Sequence, residues 1–302
     1  MELSSIDVSV VIISKNERGL DETLEGLQDQ QAAASYEVCV VDASDGALDF
    51  LQVRYPNVRW IPFTDMSEKS ITIPEQRNVG VAAARGRVIA FIDASCIPSP
   101  GWLDRLVAPI LSGEEEVTAG LISNRGQGAI YETLAGGSAD VVRYLDEAPT
   151  GNLAFTVDAF NQVGGFDEAF DYGSDIDFTW RLRNAGYRLR FVQAAEISHD
   201  WGTKRRQLKR AYVYGEARAR LYHKHLDRWR TGLRNDPVLF VYPVFLLLLP
   251  VMLFRRLRLY PLLLIVPMWR ARRSRPFLTI ADHLFYGAGA LAYLVGRLAG
   301  RR

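Results

Sequence analysis

Apolar positions in this chain fall into two patterns that alternate through its first two hundred residues: short unbroken runs, and longer stretches with helical spacing. Val8–Ile13 is apolar but for Ser9, and Val88–Ile92 is apolar throughout. Tyr36–Val41 and Val58–Phe63 are further runs of strand type. Runs of this length without polar alternation predict strands buried on both faces of a sheet. Between them Leu20, Leu24 and Leu27 recur at helical spacing. Pro74 suits the first position of a second helix, with Val79, Ala82 and Ala83 expected inward and Gly86 as its stop. Strands alternating with helices predict right-handed βαβ units and a mostly parallel sheet, hence an α/β fold. Residues 117–150 carry less pattern, and the Gly-rich Asn124–Gly128 is the expected flexible piece. Gly164-Gly165 then predicts a tight turn. Ser174 or Asp175 is expected to cap a helix whose apolar positions include Ile176, Phe178, Trp180 and Leu182, closed by Gly186. Tyr187–Val192 is the last predicted strand.

The pattern changes after residue 203. Lys204–Arg234 holds eleven basic residues with Tyr212, Tyr214, Leu221, Tyr222, Leu226 and Trp229 interleaved. Val238–Phe254 then runs 17 residues without a charge, Leu259–Trp269 eleven more, and Phe277–Leu298 is mostly apolar. A membrane span takes about 20 residues, so the first is short and the second too short alone. Arg255, Arg256 and Arg258 lie between them, where the positive-inside tendency argues against a full first span. Pro-broken, re-entrant or interfacial segments with one span near the end are expected; a buried core hairpin is the alternative. The division is thus 1–203 as a catalytic-type α/β domain, 204–236 as a basic amphipathic interface region, and 237–302 as hydrophobic membrane-associated helices.

Charge sharpens this division. The formal net charge of +1 hides 15 Lys and Arg against 31 Asp and Glu in residues 1–203, and 21 against 4 in residues 204–302. A basic tail behind an acidic front points to an anionic surface, membrane lipid or nucleic acid. The uncharged stretches favour anionic lipid, and no nucleic-acid partner is expected. Cys39 and Cys96 sit in or beside apolar runs and suit a reduced compartment, with no zinc or redox spacing. No basic region precedes the first apolar run, so no signal peptide is expected.

Two familiar nucleotide signatures are missing: S-K-N-E-R-G after the first strand is neither G-x-G-x-x-G nor a Walker loop. The remaining candidates are acids at strand ends, where ligands of open α/β sheets gather. Asp93 follows the Val88–Ile92 run and either caps the turn or holds a divalent cation against a diphosphate. Asp42 is a turn residue or takes a base or ribose group. Arg77 and Asn78 face phosphate or base, or lie on a solvated helix face. Asp171, Asp175 and Asp177 cluster at a helix amino terminus, where the dipole favours negative charge; Asp175 is available as a general base, or the three only cap and solubilise the helix. His199 follows the last strand and is either structural or able to complete a metal site with Asp93.

Four segments in order, V-S-V-V-I-I-S-K-N-E, V-V-D-A-S-D-G, Q-R-N-V-G-V-A-A-A-R-G-R-V-I-A-F-I-D-A-S and G-G-F-D-E-A-F-D-Y-G-S-D-I-D-F-T-W-R-L-R, resemble the family 2 glycosyltransferases of the GT-A fold over roughly residues 6–215. The resemblance implies that the chain is an enzyme taking a nucleotide-diphospho-sugar donor, with divalent Mg or Mn as cofactor. It places Ser14, Asn16, Glu17, Asp42, Arg77, Asn78, Asp93 and Asn152 around the donor, and Asp93, Ser95 and His199 at the metal. It makes Asp175 the base and sets Trp180 and Arg181 on the acceptor side. The D-x-D position reads Asp93-Ala94-Ser95, and the E-D position reads Ser174-Asp175, so each keeps one acid and replaces the other with serine. The processive signature Q-x-x-R-W is broken after Arg210 by Ala211. The resulting expectation is an inverting, nonprocessive transfer to a lipid-linked or membrane-proximal glycan, with the catalytic domain at the cytosolic face of the cytoplasmic membrane. The rivals are a polyprenyl-phosphate transferase and a non-catalytic binding subunit. Donor and acceptor specificity is expected in the loops at 64–74, 123–150 and 166–174.

Overall fold

In a computed structural model of the chain, the described residues are 6–64, 71–125, 142–200, 202–254, 258–270 and 275–300. The expected loops 64–74 and 123–150 therefore lie partly outside them. The chain forms two compact units that divide at Asp200.

The apolar runs become strands of one mixed sheet: β1 (Val8–Ser14), β2 (Tyr36–Asp42), β3 (Arg59–Pro62), β4 (Val88–Ile92), β5 (Cys96–Pro98), β6 (Val117–Asn124), β7 (Arg143–Leu145), β8 (Asn152–Thr156) and β9 (Leu189–His199). The order is β3-β2-β1-β4-β8-β6-β9-β5, with β7 also on β9. β1, β2, β3 and β4 pair in parallel, and β6 pairs in parallel with β9. β8 runs antiparallel between β4 and β6. Every residue of β4 is buried, as a strand covered on both faces requires. β9 is longer than the predicted Tyr187–Val192. A register shift at Gly120/Leu121 lets it continue past its bulge as far as His199.

The helices of this unit are α1 (Leu20–Gln28), α2 (Asp49–Arg54), α3 (Ile73–Ala83), α4 (Trp102–Leu111), α5 (Val157–Val163) and α6 (Ser174–Asn184). α1 buries Leu20, Leu24 and Leu27 as its spacing requires, each worth about 1.5–3 kcal/mol of apolar burial. α3 turns a different face inward from the one expected. Gln76, Arg77, Gly80 and Val81 are buried, whereas Ala82 is exposed. A Cβ at Gly80 would stand 2.5 Å from Val11 Cγ1. The helix therefore approaches the sheet through its glycine, and that rotation carries Arg77 inside. Phe91, Phe155, Phe160, Phe166 and Phe178 pack ring to ring beneath α5 and α6, with Phe166 and Phe178 centroids 4.4 Å apart.

The second unit is helical: α7 (Lys204–Lys224), α8 (Trp229–Asn235), α9 (Pro237–Leu247), α10 (Ile265–Arg270) and α11 (Pro276–Leu298). α7 and α11 meet at glycines. A Cβ at Gly215 would lie 1.9 Å from Tyr286 O, and one at Gly289 the same distance from Tyr212 O. Small residues of this kind let helix backbones approach closely. The expected 17-residue apolar stretch is not one straight helix. α9 ends at Leu247 and a 3-10 turn follows over Leu249–Leu253, while the 85° bend at the Asp236-Pro237 step sets the stretch off from α8. Among the described residues, α11 alone is a single helix long and apolar enough to cross a membrane. Val241, Val244, Leu247, Leu262, Ile265 and Trp269 are among its unit's exposed apolar side chains.

Candidate active site

Strand ends make the floor of the site. Because β1, β2 and β4 run in parallel, Ser14, Asp42 and Asp93 leave the sheet at the same edge, and Ser14 stands opposite Asp42 in the ladder. β8 starts at that edge with Asn152 facing Ile92. β9 ends there, with His199 opposite both Asn124 of β6 and Cys96 of β5. The strands thus bring Asp93, Ser95 and His199 to the same sheet edge although a hundred residues separate them in sequence. The carboxyl edge of an α/β sheet is where ligands bind.

On the β1–β2 side, Ser44 joins two loops. Its amide donates to Asp42 Oδ1 at 3.1 Å, and its Oγ accepts from the Asn16 amide at 2.7 Å. Asn16 adopts a left-handed φ of 60° within this tie, a conformation asparagine tolerates better than most residues. Ser44 is buried and was not among the expected site residues; its only signal was the Asx-turn pattern of D-A-S-D-G. Ser14 Oγ is buried and has no hydrogen-bond partner among the described residues. The carbonyl of half-buried Glu17 accepts from Leu20 and starts α1.

Asp93 lies at the centre. Its side chain keeps 46% of its exposure, while Arg77 Nη2 approaches Oδ1 at 4.0 Å from the interior. The protein packed on its inner side strips water from part of the carboxyl and lifts it above the usual range, Arg77 opposes the rise, and the Asp175 carboxylate adds to it. Gly151 allows this arrangement: a Cβ there would stand 2.8 Å from Asp93 Oδ2. Ser95 has a left-handed φ of 74°, and a Cβ at Gly19 would meet its Oγ at 2.2 Å. Backbone held in a sparsely populated conformation at such a place is a frequent mark of functional sites.

Among the described residues no three or more His, Cys, Asp or Glu side chains cluster closely enough to enclose a divalent cation. Asp93, Ser95 and His199 offer one carboxylate, one hydroxyl and one imidazole along that edge, donor types compatible with an ion of the Mg or Mn type, which is commonly held by one or two carboxylates together with substrate phosphates.

Above this edge stands the start of α6. Gly173, with φ 80°, is its N-cap, and no side chain caps it, so Ser174 is its first residue instead of the expected cap. Arg77 Nη1 donates to Ser174 Oγ at 3.2 Å, and its guanidinium lies 5.5 Å from the Phe166 ring centre. Asp175 Oδ1 accepts from the Ile176 amide at 2.9 Å. The three acids expected together at this terminus separate: Asp171 is exposed, Asp175 half-buried, and Asp177 fully buried in an ion pair with Arg181 at 2.8 Å.

Four expected site residues have interior partners. Asn152 is buried, donates to Leu121 O and Ala195 O at 2.9 and 2.8 Å, and accepts from Trp102 Nε1 at 2.8 Å. Its carboxamide ties β8 to β6, β9 and α4. Asn78 exchanges two hydrogen bonds of 2.9 Å with the Phe166 backbone and donates to Glu168 at 3.0 Å. Arg181 donates to Val163 O and Gly165 O, both at 2.6 Å. Trp180 is buried and donates to Glu147 at 3.0 Å.

The family model described as "Glycosyl transferase family 2" matches residues 9–212. Pre-mycofactocin glycosyltransferase from Mycobacterium tuberculosis is 32% identical over 165 residues, which take in 50% of this chain and 35% of that protein; the match thus spans about a third of the relative's length. Glycosyltransferase AglE from Haloferax volcanii is 28% identical over 234 residues, 73% of this chain and 75% of its own. Among solved structures, the mannosyltransferase PcManGT from Pyrobaculum calidifontis, in complex with GDP-Man and Mn2+, superposes with a TM-score of 0.64 at 16% identity. It covers 95% of this chain and 86% of its own, a likeness of fold.

Proposed function

The chain belongs to glycosyl transferase family 2, and from that premise we propose that it moves a sugar from a nucleotide-diphosphate donor to a lipid-linked or membrane-proximal glycan acceptor, with inversion and without processivity. The observation that carries this reading is the convergence of Ser14, Asp42 and Asp93 on one sheet edge, with Arg77 joining Asp93 to the start of the helix that bears Asp175.

In this reading the nucleoside lies along the Ser14–Glu17 and Asp42–Ser44 loops, and the diphosphate points toward Asp93. A divalent cation, held by Asp93 with Ser95 and His199 as neighbouring donors, would supply positive charge to the leaving diphosphate. PcManGT was solved with GDP-Man and Mn2+, which supports that cofactor class. Asp175 takes the proton of the acceptor hydroxyl. The Ile176 amide fixes Oδ1 and leaves Oδ2 to face the acceptor. The acceptor oxygen bonds to the anomeric carbon as the bond to the diphosphate breaks on the opposite face. The products are the glycoside and the nucleoside diphosphate, with the proton on Asp175. A positioned base is worth about 10²–10⁴ in rate.

The second unit supports a membrane setting. α11 has 23 residues, is long and apolar enough to cross a membrane, and is mostly unburied along its apolar part. At about 1.5 Å per residue it matches a hydrocarbon layer roughly 30 Å thick. The basic face of α7 suits anionic lipid headgroups at the cytosolic surface. The serines at 95 and 174 favour a second reading, a nucleotide-sugar-binding subunit without turnover.

The test is a panel of UDP-, GDP- and dTDP-sugars given to membranes carrying the full chain, with Mg²⁺, Mn²⁺ or chelator. Release of one nucleoside diphosphate with glycosylated product is expected. Binding without turnover across the panel overturns the catalytic reading in favour of the binding subunit.

A further inference from the structure

Arg77 and Asn78, consecutive on α3, both reach the segment that leads to Asp175. Asn78 uses both ends of its carboxamide on one residue: Nδ2 donates to Phe166 O, and Oδ1 accepts from Phe166 N, each at 2.9 Å. The same Nδ2 donates to Glu168 Oε1 at 3.0 Å. Arg77 holds the far end of the segment through Ser174 Oγ and lies against the Phe166 ring. On the other side, Arg181 grips Val163 O and Gly165 O from within α6. The turn between these grips leaves no slack. Gly165 has φ 72°, and a Cβ there would meet Phe160 Cζ at 2.8 Å and Asn78 Oδ1 at 3.0 Å. Arg77 also reaches Asp93 at 4.0 Å, while its Nε is buried with no hydrogen bond. The guanidinium thus touches both sides of the site, and with only 7% of the residue exposed it has little surface to offer a substrate.

We propose that Arg77 and Asn78 are positioning residues: together they fix the segment 166–175, and with it Asp175, relative to Asp93, and they do so without contacting the donor. A single hydrogen bond to Phe166 would leave the turn free to pivot. The paired bonds fix its direction, and the Arg77–Ser174 bond fixes where the following helix begins. A misplacement of about 1 Å in a reacting group can cost on the order of a hundredfold in rate. The role rests on the proposed transfer reaction only for its rate readout.

The test uses full-length Asn78→Ala and Arg77→Lys. The lysine keeps the positive charge but loses the fork that serves Ser174 and Asp93 at once. Three quantities are read: kcat with the donor identified by the panel, Kd for UDP and GDP, and amide hydrogen exchange across 166–175 against 8–14 as reference. The expected result is a fall in kcat of tenfold or more, a Kd within twofold of wild type, and exchange at 166–175 at least tenfold faster with 8–14 unchanged. A tenfold rise in Kd with kcat retained makes these residues donor contacts and overturns the proposal, as does unchanged exchange in both variants. Should Asn78→Ala fail to fold, Arg77→Lys decides. Should wild type transfer no sugar while exchange responds as expected, the transfer reading falls and the positioning role stands.

Discussion

Gly151→Ala separates a role in shaping the site from a role in holding the fold. Gly151 does not adopt the left-handed backbone conformation that favours glycine, so alanine brings no strain of that kind. What alanine brings is one methyl group 2.8 Å from Asp93 Oδ2 and 3.2 Å from its Cγ, against the 3.4 Å at which ordinary contact begins. The carboxylate is the part free to move, because its side chain keeps 46% of its exposure, whereas Gly151 sits against β8 inside the sheet edge. Asp93 should therefore swing by about half an ångström or more away from Gly151, changing its approach to Arg77. Groups that bind a cation and a diphosphate tolerate little displacement. We expect Kd for a nucleoside diphosphate with Mn²⁺ to rise about tenfold, or ~1.4 kcal/mol, with the melting temperature nearly unchanged. Isothermal titration and a thermal melt on the same preparations measure both. The discriminating step is a double-mutant cycle with Asp93→Ala. If the methyl acts through Asp93, adding Gly151→Ala to Asp93→Ala should cost nothing further. Additive losses, or wild-type affinity in Gly151→Ala alone, would refute the reasoning.

Two other outcomes follow from the same geometry. Asp175→Asn should lower kcat by about 10²–10⁴ while nucleoside diphosphate binding is retained, because the amide keeps an oxygen for the Ile176 N–H but cannot take the acceptor proton; turnover at the wild-type rate would remove Asp175 from the base role. The buried thiols should resist labelling: burial pushes Cys39 up to about 11, and it raises Cys96 further. The thiolate is the reactive form, and at pH 8 only about one Cys39 in a thousand carries it. A disulfide reagent should therefore label neither cysteine in the native chain and both in denaturant, and Cys39 should gain reactivity only as pH climbs toward 11.

What the sequence determined by itself was whatever depends on neighbours along the chain. Unbroken apolar runs marked β1, β2 and β4 because a strand covered on both faces has no polar side to show. The four ordered segments identified the family, and the position of Asp93 directly after the apolar Val88–Ile92 run placed it at a strand end. Tertiary structure decided whatever depends on partners distant in sequence. The buried face of α3 could not be read from Val79, Ala82 and Ala83, since the sheet accepts the helix through Gly80, where a missing side chain makes the contact. Asn78, Asn152, Trp180 and Arg181 resemble ligand-facing residues in a motif, yet they bond to Phe166, Leu121, Glu147 and Gly165. The polar atoms that must be satisfied inside a fold are set by register and crossing geometry, which sequence spacing does not encode. The tie made by Ser44 is invisible in the sequence for the same reason: its Oγ accepts from the Asn16 amide, 28 residues away. His199 reached the site because the β6–β9 ladder shifts register and lets β9 run on until it meets Cys96.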